Sequence, residues 1–290
     1  MKPTLPLLFA LALLPALHAA TRPDGQFDRT FSIAGTVDLD AMTRAGGIVV
    51  TRGAAAGTVR IHGILEAREN ELFGIFFSSR DADAHIRELE RNPPVERSGN
   101  KVRVGYMTDS HLLDGVSMHL EIEVPADTSV KARAVSGGIE ISGVRGPVDS
   151  SAVSGGIRLR DIGADVSART TSGGVRISDV NGAVSAHTVS GGIEALDVTG
   201  AIDARAISGG VRLSQTRVAS IRAETISGGV RATLASGSGY NVDIQTVNGH
   251  ITTPEMTVES GFSRRHIAGK IRGGGPEVSI RSTSGPVRVD

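Results

Sequence analysis

Hydrophobic and polar positions fall into a repeat over the second half of the chain. Ser-Gly-Gly followed by Ile or Val begins at Ser136, Ser154, Ser172, Ser190, Ser208 and Ser227, at spacings of 18, 18, 18, 18 and 19 residues. Degenerate copies follow at Asn248-Gly249-His250-Ile251, Ala268-Gly269-Lys270-Ile271 and Ser284-Gly285-Pro286-Val287. Such a fixed short period is the mark of a repeat architecture. Each unit divides into halves of nine. Ile157, Leu159 and Ile162, or Val175, Ile177 and Val180, supply the apolar positions of the first half. Val184, Ala186 and Val189, or Ile202, Ala204 and Ile207, supply those of the second. The spacing within each half is close to two, as in a strand with one buried face.

Turn residues separate the halves: the Ser-Gly-Gly corner on one side, Asn181-Gly182 or Thr199-Gly200 on the other. Nine residues hold a strand of about five and a turn of about four, with no room for a helix. The pattern therefore predicts an all-β fold, a parallel β-solenoid with two strands per 18-residue coil over residues 131–290. Right-handed coiling follows the general preference of parallel crossovers. Stacking coils at about 4.8 Å buries side chains that no coil could bury alone. A tight corner calls for glycine, and Gly174 is expected to occupy one.

The region before the repeats, residues 21–130, is less regular. Gly47-Ile48-Val49-Val50 and Gly57-Thr58-Val59-Arg60-Ile61 look like earlier coils, and residues 80–91, stopped ahead of Pro93-Pro94, read as a short helix. Val102, Val104, Leu120, Ile122 and Val124 fall on further strands. This part is expected to cap the solenoid, because an open end would expose strand edges. Ahead of it, Lys2, the apolar run from Leu5 to Leu17, and the small pair Ala19-Ala20 read as a cleavable export signal over residues 1–20. That run is too short for a membrane span, and no later segment is apolar enough for one. The expected location is outside the cytoplasm, periplasmic or secreted.

Composition narrows the function classes. Thirty-one basic and 31 acidic side chains give no net charge, so the electrostatic footprint of a nucleic-acid binder is missing. With no Cys, a disulfide scaffold, thiolate metal sites and a Cys nucleophile are excluded.

Together, Glu121-Ile122-Glu123-Val124-Pro125, the step into Val130-Lys131-Ala132, the serial Ser-Gly-Gly-Ile/Val units, Gly273-Gly274-Gly275 and Thr283-Ser284-Gly285-Pro286-Val287 resemble the toastrack family of "putative adhesins", bacterial β-strand repeat proteins of unknown function. The resemblance implies an exported, envelope-facing, non-enzymatic module and carries over no catalytic residue.

Candidate chemistry is sparse. The eight His are scattered without the i, i+4 spacing of a helical zinc site, and no Gly-x-Ser-x-Gly elbow occurs. No cofactor is implied. A polysaccharide-cleaving β-helix, the enzymatic alternative, would want aromatics for sugar rings, yet only Tyr240 and Phe262 follow residue 131. Asp161, Asp179 and Asp197 recur 18 apart at one repeat position. They would form a file of carboxylates able to hold Ca²⁺ or, alternatively, mark a local strand-exit conformation. Outward positions carry Glu140, Arg158, Arg176, Glu194, Arg212 and Arg231, with Arg160 beside them. This ladder is either a solvated face or a strip for an anionic envelope polymer or an envelope protein, with Arg158, Arg160, Arg176, Arg212 and Arg231 as the binding residues. The functional expectation is an adhesin-like structural or binding module of the envelope; a surface adhesin or envelope-stress partner is the alternative.

Overall fold

The computed structural model describes residues 24–53, 55–68, 79–107, 109–237, 239–253, 257–263 and 265–290. The export-signal reading of residues 1–20 lies outside them. Among the described residues strands dominate, forming one sheet of 12 and one of 13, with one α-helix, Ser79–Arg91. In the repeats each coil places its first half in one sheet and its second half in the other. Ile157–Ile162, Val175–Val180 and Ile193–Val198 pair in parallel with residue-for-residue register. Val148–Ser154, Val166–Ser172, Val184–Ser190 and Ile202–Ser208 do the same opposite them. This is the parallel β-solenoid that the period predicts. Leu159, Ile177, Leu213, Ala168, Ala186 and Ala204 are at most 1% exposed. Aliphatic side chains on one sheet face alanine in the middle of the other, which lets the sheets approach closely.

The second-half strands differ from the expected pattern. Val189 and Ile207 face solvent, 45% and 47% exposed, while Thr188 and Ala206 point inward. Alternation simply continues one step further, to Ala in some coils and Thr in others. Burial of the threonines is feasible because their hydroxyls are satisfied. Thr170 Oγ1 donates to the Gly155 carbonyl at 2.9 Å, Thr188 to Gly173 at 3.0 Å and Thr225 to Gly209 at 3.0 Å. Each bond reaches back to the preceding coil's corner. Thr188→Val keeps the shape and removes the donor, so it should cost about 1–2 kcal/mol in chemical denaturation. An unchanged midpoint would mean that the Gly173 carbonyl finds another donor.

The corners also differ in detail. The first glycine of each pair, not the second, has the left-handed backbone: φ is 149° at Gly155, 147° at Gly173 and 140° at Gly191. A Cβ on Gly173 would lie 2.3 Å from the Gly155 carbonyl oxygen, whereas one on Gly174 would make an ordinary 3.5 Å contact. Gly174 is therefore not the constrained position.

Neither end follows the simple repeat. Ile48–Arg52 is a true coil strand, parallel to Ile139–Ser142 and to Val116–Val124. Thr58–Ala67, by contrast, runs antiparallel to Val116–Val124 and to Gly25–Ser32, so residues 57–61 form no coil. This antiparallel trio ends one sheet, and Val95–Ser98 with Lys101–Val104 ends the other. The helix covers this end, burying Ala82, Ile86 and Leu89. At the opposite end the coils are out of chain order. Glu277–Ser284 inserts between Ile221–Ser227 and Tyr240–Asn248, setting Ser284 against both Ser227 and Asn248. Ala268-Gly269-Lys270 is no corner but part of His266–Ile271, antiparallel to Tyr240–Gln245. Among the described residues no helix is long and apolar enough to cross a membrane.

Candidate binding surface

Residues two beyond the second corner glycine face outward and stack in file on the 12-stranded sheet: Glu140, Arg158, Arg176, Glu194, Arg212 and Arg231. Arg288 extends the file past Arg231. The file borders a groove of about 1320 Å³ floored by the corner glycines and their following Ile or Val. Stacked coils space the guanidiniums by about 4.8 Å per rung.

The acids interleaved in the file neutralise most of it. Arg158 sits 3.3 Å from Glu140; Arg176 and Arg212 share Glu194 at 3.7 and 3.3 Å; Arg231 reaches Asp290 at 3.1 Å. Arg160, one outward step further along its strand, has no ion-pair partner among the described residues. All these side chains are substantially exposed, so each pair contributes about 0–1 kcal/mol and can be exchanged.

Asp161, Asp179 and Asp197 also stack, at the exposed end of successive strands, with φ of 55°, 57° and 56°. In the coil before them the same place is taken by Gly143, φ 76°. Aspartate and glycine are among the residues that tolerate this conformation, which accounts for their recurrence without a bound ion. Among the described residues no group of three His, Asp or Glu could hold a metal.

Two Ser–His pairs lie on strands. Ser117 Oγ and Glu66 lie 3.4 and 3.8 Å from His119 Nε2, but His119 Nδ1 accepts the Gly47 N–H at 3.0 Å. A general-base relay needs serine and carboxylate on opposite ring nitrogens; here both share one, so the trio cannot activate the serine. His187 Nε2 meets Ser185 Oγ at 3.2 Å on the 13-stranded sheet. Partial burial, then the nearby Arg205 and Arg169, hold its pKa below the usual histidine value, against the opposing pull of Asp203 and Glu224. The unfolded chain therefore takes the proton first as pH falls below about 6.5, and stability drops on that side. His187→Gln should flatten part of this drop between pH 7.5 and 5.5 in denaturant titrations; an unaltered slope would place the titration elsewhere.

One set of surface residues escaped the sequence pattern. Arg133, Arg169, Arg205 and Arg281 share an outward row of the 13-stranded sheet with His187 and Glu224. Beside it, the residue preceding each corner serine forms an exposed aliphatic file. The signal was present as Val or Ile before Ser-Gly-Gly, but those residues read as inward-facing.

A comparison with curated proteins finds no match. Three solved structures resemble the chain. A "putative adhesin" from Bacteroides fragilis has a TM-score of 0.49 and 14% identity, covering 91% of this chain and 97% of its own. A "putative cell adhesion protein" from Clostridium sporogenes has a TM-score of 0.29 and 11% identity, with 92% and 99% covered. A "putative adhesin" from Parabacteroides distasonis has a TM-score of 0.30 and 9% identity, with 93% and 99% covered. The family description Toastrack DUF4097 matches residues 83–290, most of the chain. With its serial coils, antiparallel caps and glycine corners, the chain belongs to the Toastrack DUF4097 family.

Proposed function

We propose that this chain is an exported, non-enzymatic binding module of the bacterial envelope, adhesin-like in character, which holds a repeating anionic partner on its solenoid. The observation that carries this reading is the straight file of Arg158, Arg176, Arg212, Arg231 and Arg288 beside a continuous groove, with Arg160 adjacent. A polymer of phosphates or carboxylates can engage such a file rung by rung, because guanidinium binds either group in bidentate fashion. The competing ion pairs are exposed and weak, so an incoming anion displaces Glu140 or Glu194 at little cost.

Retention on immobilised dextran sulfate, eluted by a salt gradient, tests the proposal. Replacing Arg158, Arg160, Arg176, Arg212 and Arg231 by Ser should abolish retention at physiological salt, with the melting temperature preserved. A variant losing five cations elsewhere (Arg29, Arg87, Arg91, Arg97 and Lys101) should still be retained. Undiminished retention in the first variant, or equal loss in both, would return the ladder to a solvated face.

A further inference from the structure

Six of the seven exposed large hydrophobic residues among the described ones lie in a single line. Val135, Val153, Val189, Ile207, Ile226 and Val247 are 45–55% exposed, each immediately before a corner serine or its Asn248 counterpart. Strand register stacks them on one edge, with Thr171 and Thr283 filling the remaining rungs. Eight rungs at about 4.8 Å make a strip roughly 34 Å long. Water-exposed aliphatics scattered singly need no explanation, but a contiguous file of them marks an interaction site.

Cations flank the file along its own sheet. Two residues before it stand Arg133, Arg169, Arg205 and Arg281, with Glu224 the one acid of that row across the same rungs. Around the corner, on the outward face of the other sheet, stands the arginine file already described, five Arg against Glu140, Glu194 and Asp290. The row beside the aliphatic file thus holds four arginines against one glutamate, in a chain whose basic and acidic side chains total 31 each. Acids paired with this row, Asp40, Asp149 and Asp203, sit a further step away from the edge.

We propose that this edge attaches the protein to the surface of an anionic lipid bilayer. The Val/Ile file sinks into the boundary between headgroups and acyl chains, and the row of Arg133, Arg169, Arg205 and Arg281 beside it holds lipid phosphates, so the solenoid lies lengthwise on the membrane. This rests on the envelope-binding reading above and names its anionic partner. An apolar strip bordered by arginine is the arrangement by which peripheral proteins lie in an interface. A soluble polyanion would satisfy the arginines but leave the aliphatic file in water. A second copy of the chain, set file to file, would bring the arginine row of one copy against the other copy's.

Co-sedimentation with vesicles decides it. The wild type should bind vesicles of equimolar phosphatidylglycerol and phosphatidylcholine, not pure phosphatidylcholine, and release as salt rises. A triple variant, V189S/I207S/I226S, should weaken that binding by at least about tenfold while its melting temperature and its retention on dextran sulfate stay unchanged; V189L/I207L/I226L should bind as the wild type does. All three proteins carry the same N-terminus, so any contribution from residues 1–23 cancels. Wild-type retention on dextran sulfate without vesicle binding would overturn the lipid proposal and leave the polyanion reading standing; failure on both supports would overturn both. Equal vesicle binding by the serine variant would also overturn it, as would a wild-type dimer that the serine variant dissolves.

Discussion

Gly173→Ala should cost about 3 kcal/mol or more and lower the melting temperature by roughly 6–12 °C, whereas Gly174→Ala should stay within about 1 kcal/mol of the wild type. The two glycines are neighbours in sequence and identical in composition terms, but their surroundings differ. Gly173 has a φ of 147°, and its added Cβ would fall 2.3 Å from the Gly155 carbonyl oxygen and 2.6 Å from its carbon. Neither atom can move far. The Gly155 N–H donates to the Ser172 carbonyl at 2.8 Å, and the Gly155 carbonyl accepts the Thr170 hydroxyl at 2.9 Å. The methyl group must therefore push two coils apart and break the bonds that stack them. Because a solenoid holds together through nearest-neighbour interfaces, the damage should concentrate at the coils on either side. Amide exchange should speed up at Gly155 and Gly191 before it does at the capped ends. An alanine at 173 that melts with the wild type would mean that the coil spacing is looser than this corner implies.

The contrast shows what a repeat can and cannot reveal. An 18-residue period with turn residues every nine specifies parallel stacking, because only residue-for-residue register places every Ile, Val and Leu of successive coils in one column. Which of two adjacent glycines carries the strained backbone is not contained in the spacing. Nor is the direction of Val189 and Ile207, since an aliphatic residue next to a corner looks like core until the buried Thr188 hydroxyl is seen bonded to Gly173. The ends were the least legible. Thr58–Ala67 has the composition of a coil strand, but it runs antiparallel and so sits outside the repeat. Glu277–Ser284 slots in ahead of Tyr240–Asn248, an inversion of chain order that local pattern does not encode. The arginine file was readable because equivalent outward positions recur at the same offset from each corner. Its partners were not all so: Asp290 pairs with Arg231 from 59 residues away.

The same argument by equivalent positions decides what Asp161, Asp179 and Asp197 do. If their role is conformational, replacing all three by Asn should leave stability unchanged, because asparagine shares the aspartate tolerance of left-handed backbone. Replacing all three by Val should cost about 3 kcal/mol or more, at about 1–2 kcal/mol for each residue forced to φ near 56°, with some non-additivity between adjacent coils. Millimolar Ca²⁺ or a chelator should shift the melting temperature of neither the wild type nor the Asn variant. A cation role makes the opposite demands. Asparagine would lose the charge that Ca²⁺ requires, and a ligand bound only by the native state would stabilise the wild type by mass action. Gly143 already argues for the first outcome, since it holds φ of 76° at the equivalent place with no side chain to ligate anything. A calcium-dependent rise in melting temperature that the Asn variant loses would make the file of carboxylates a metal site after all.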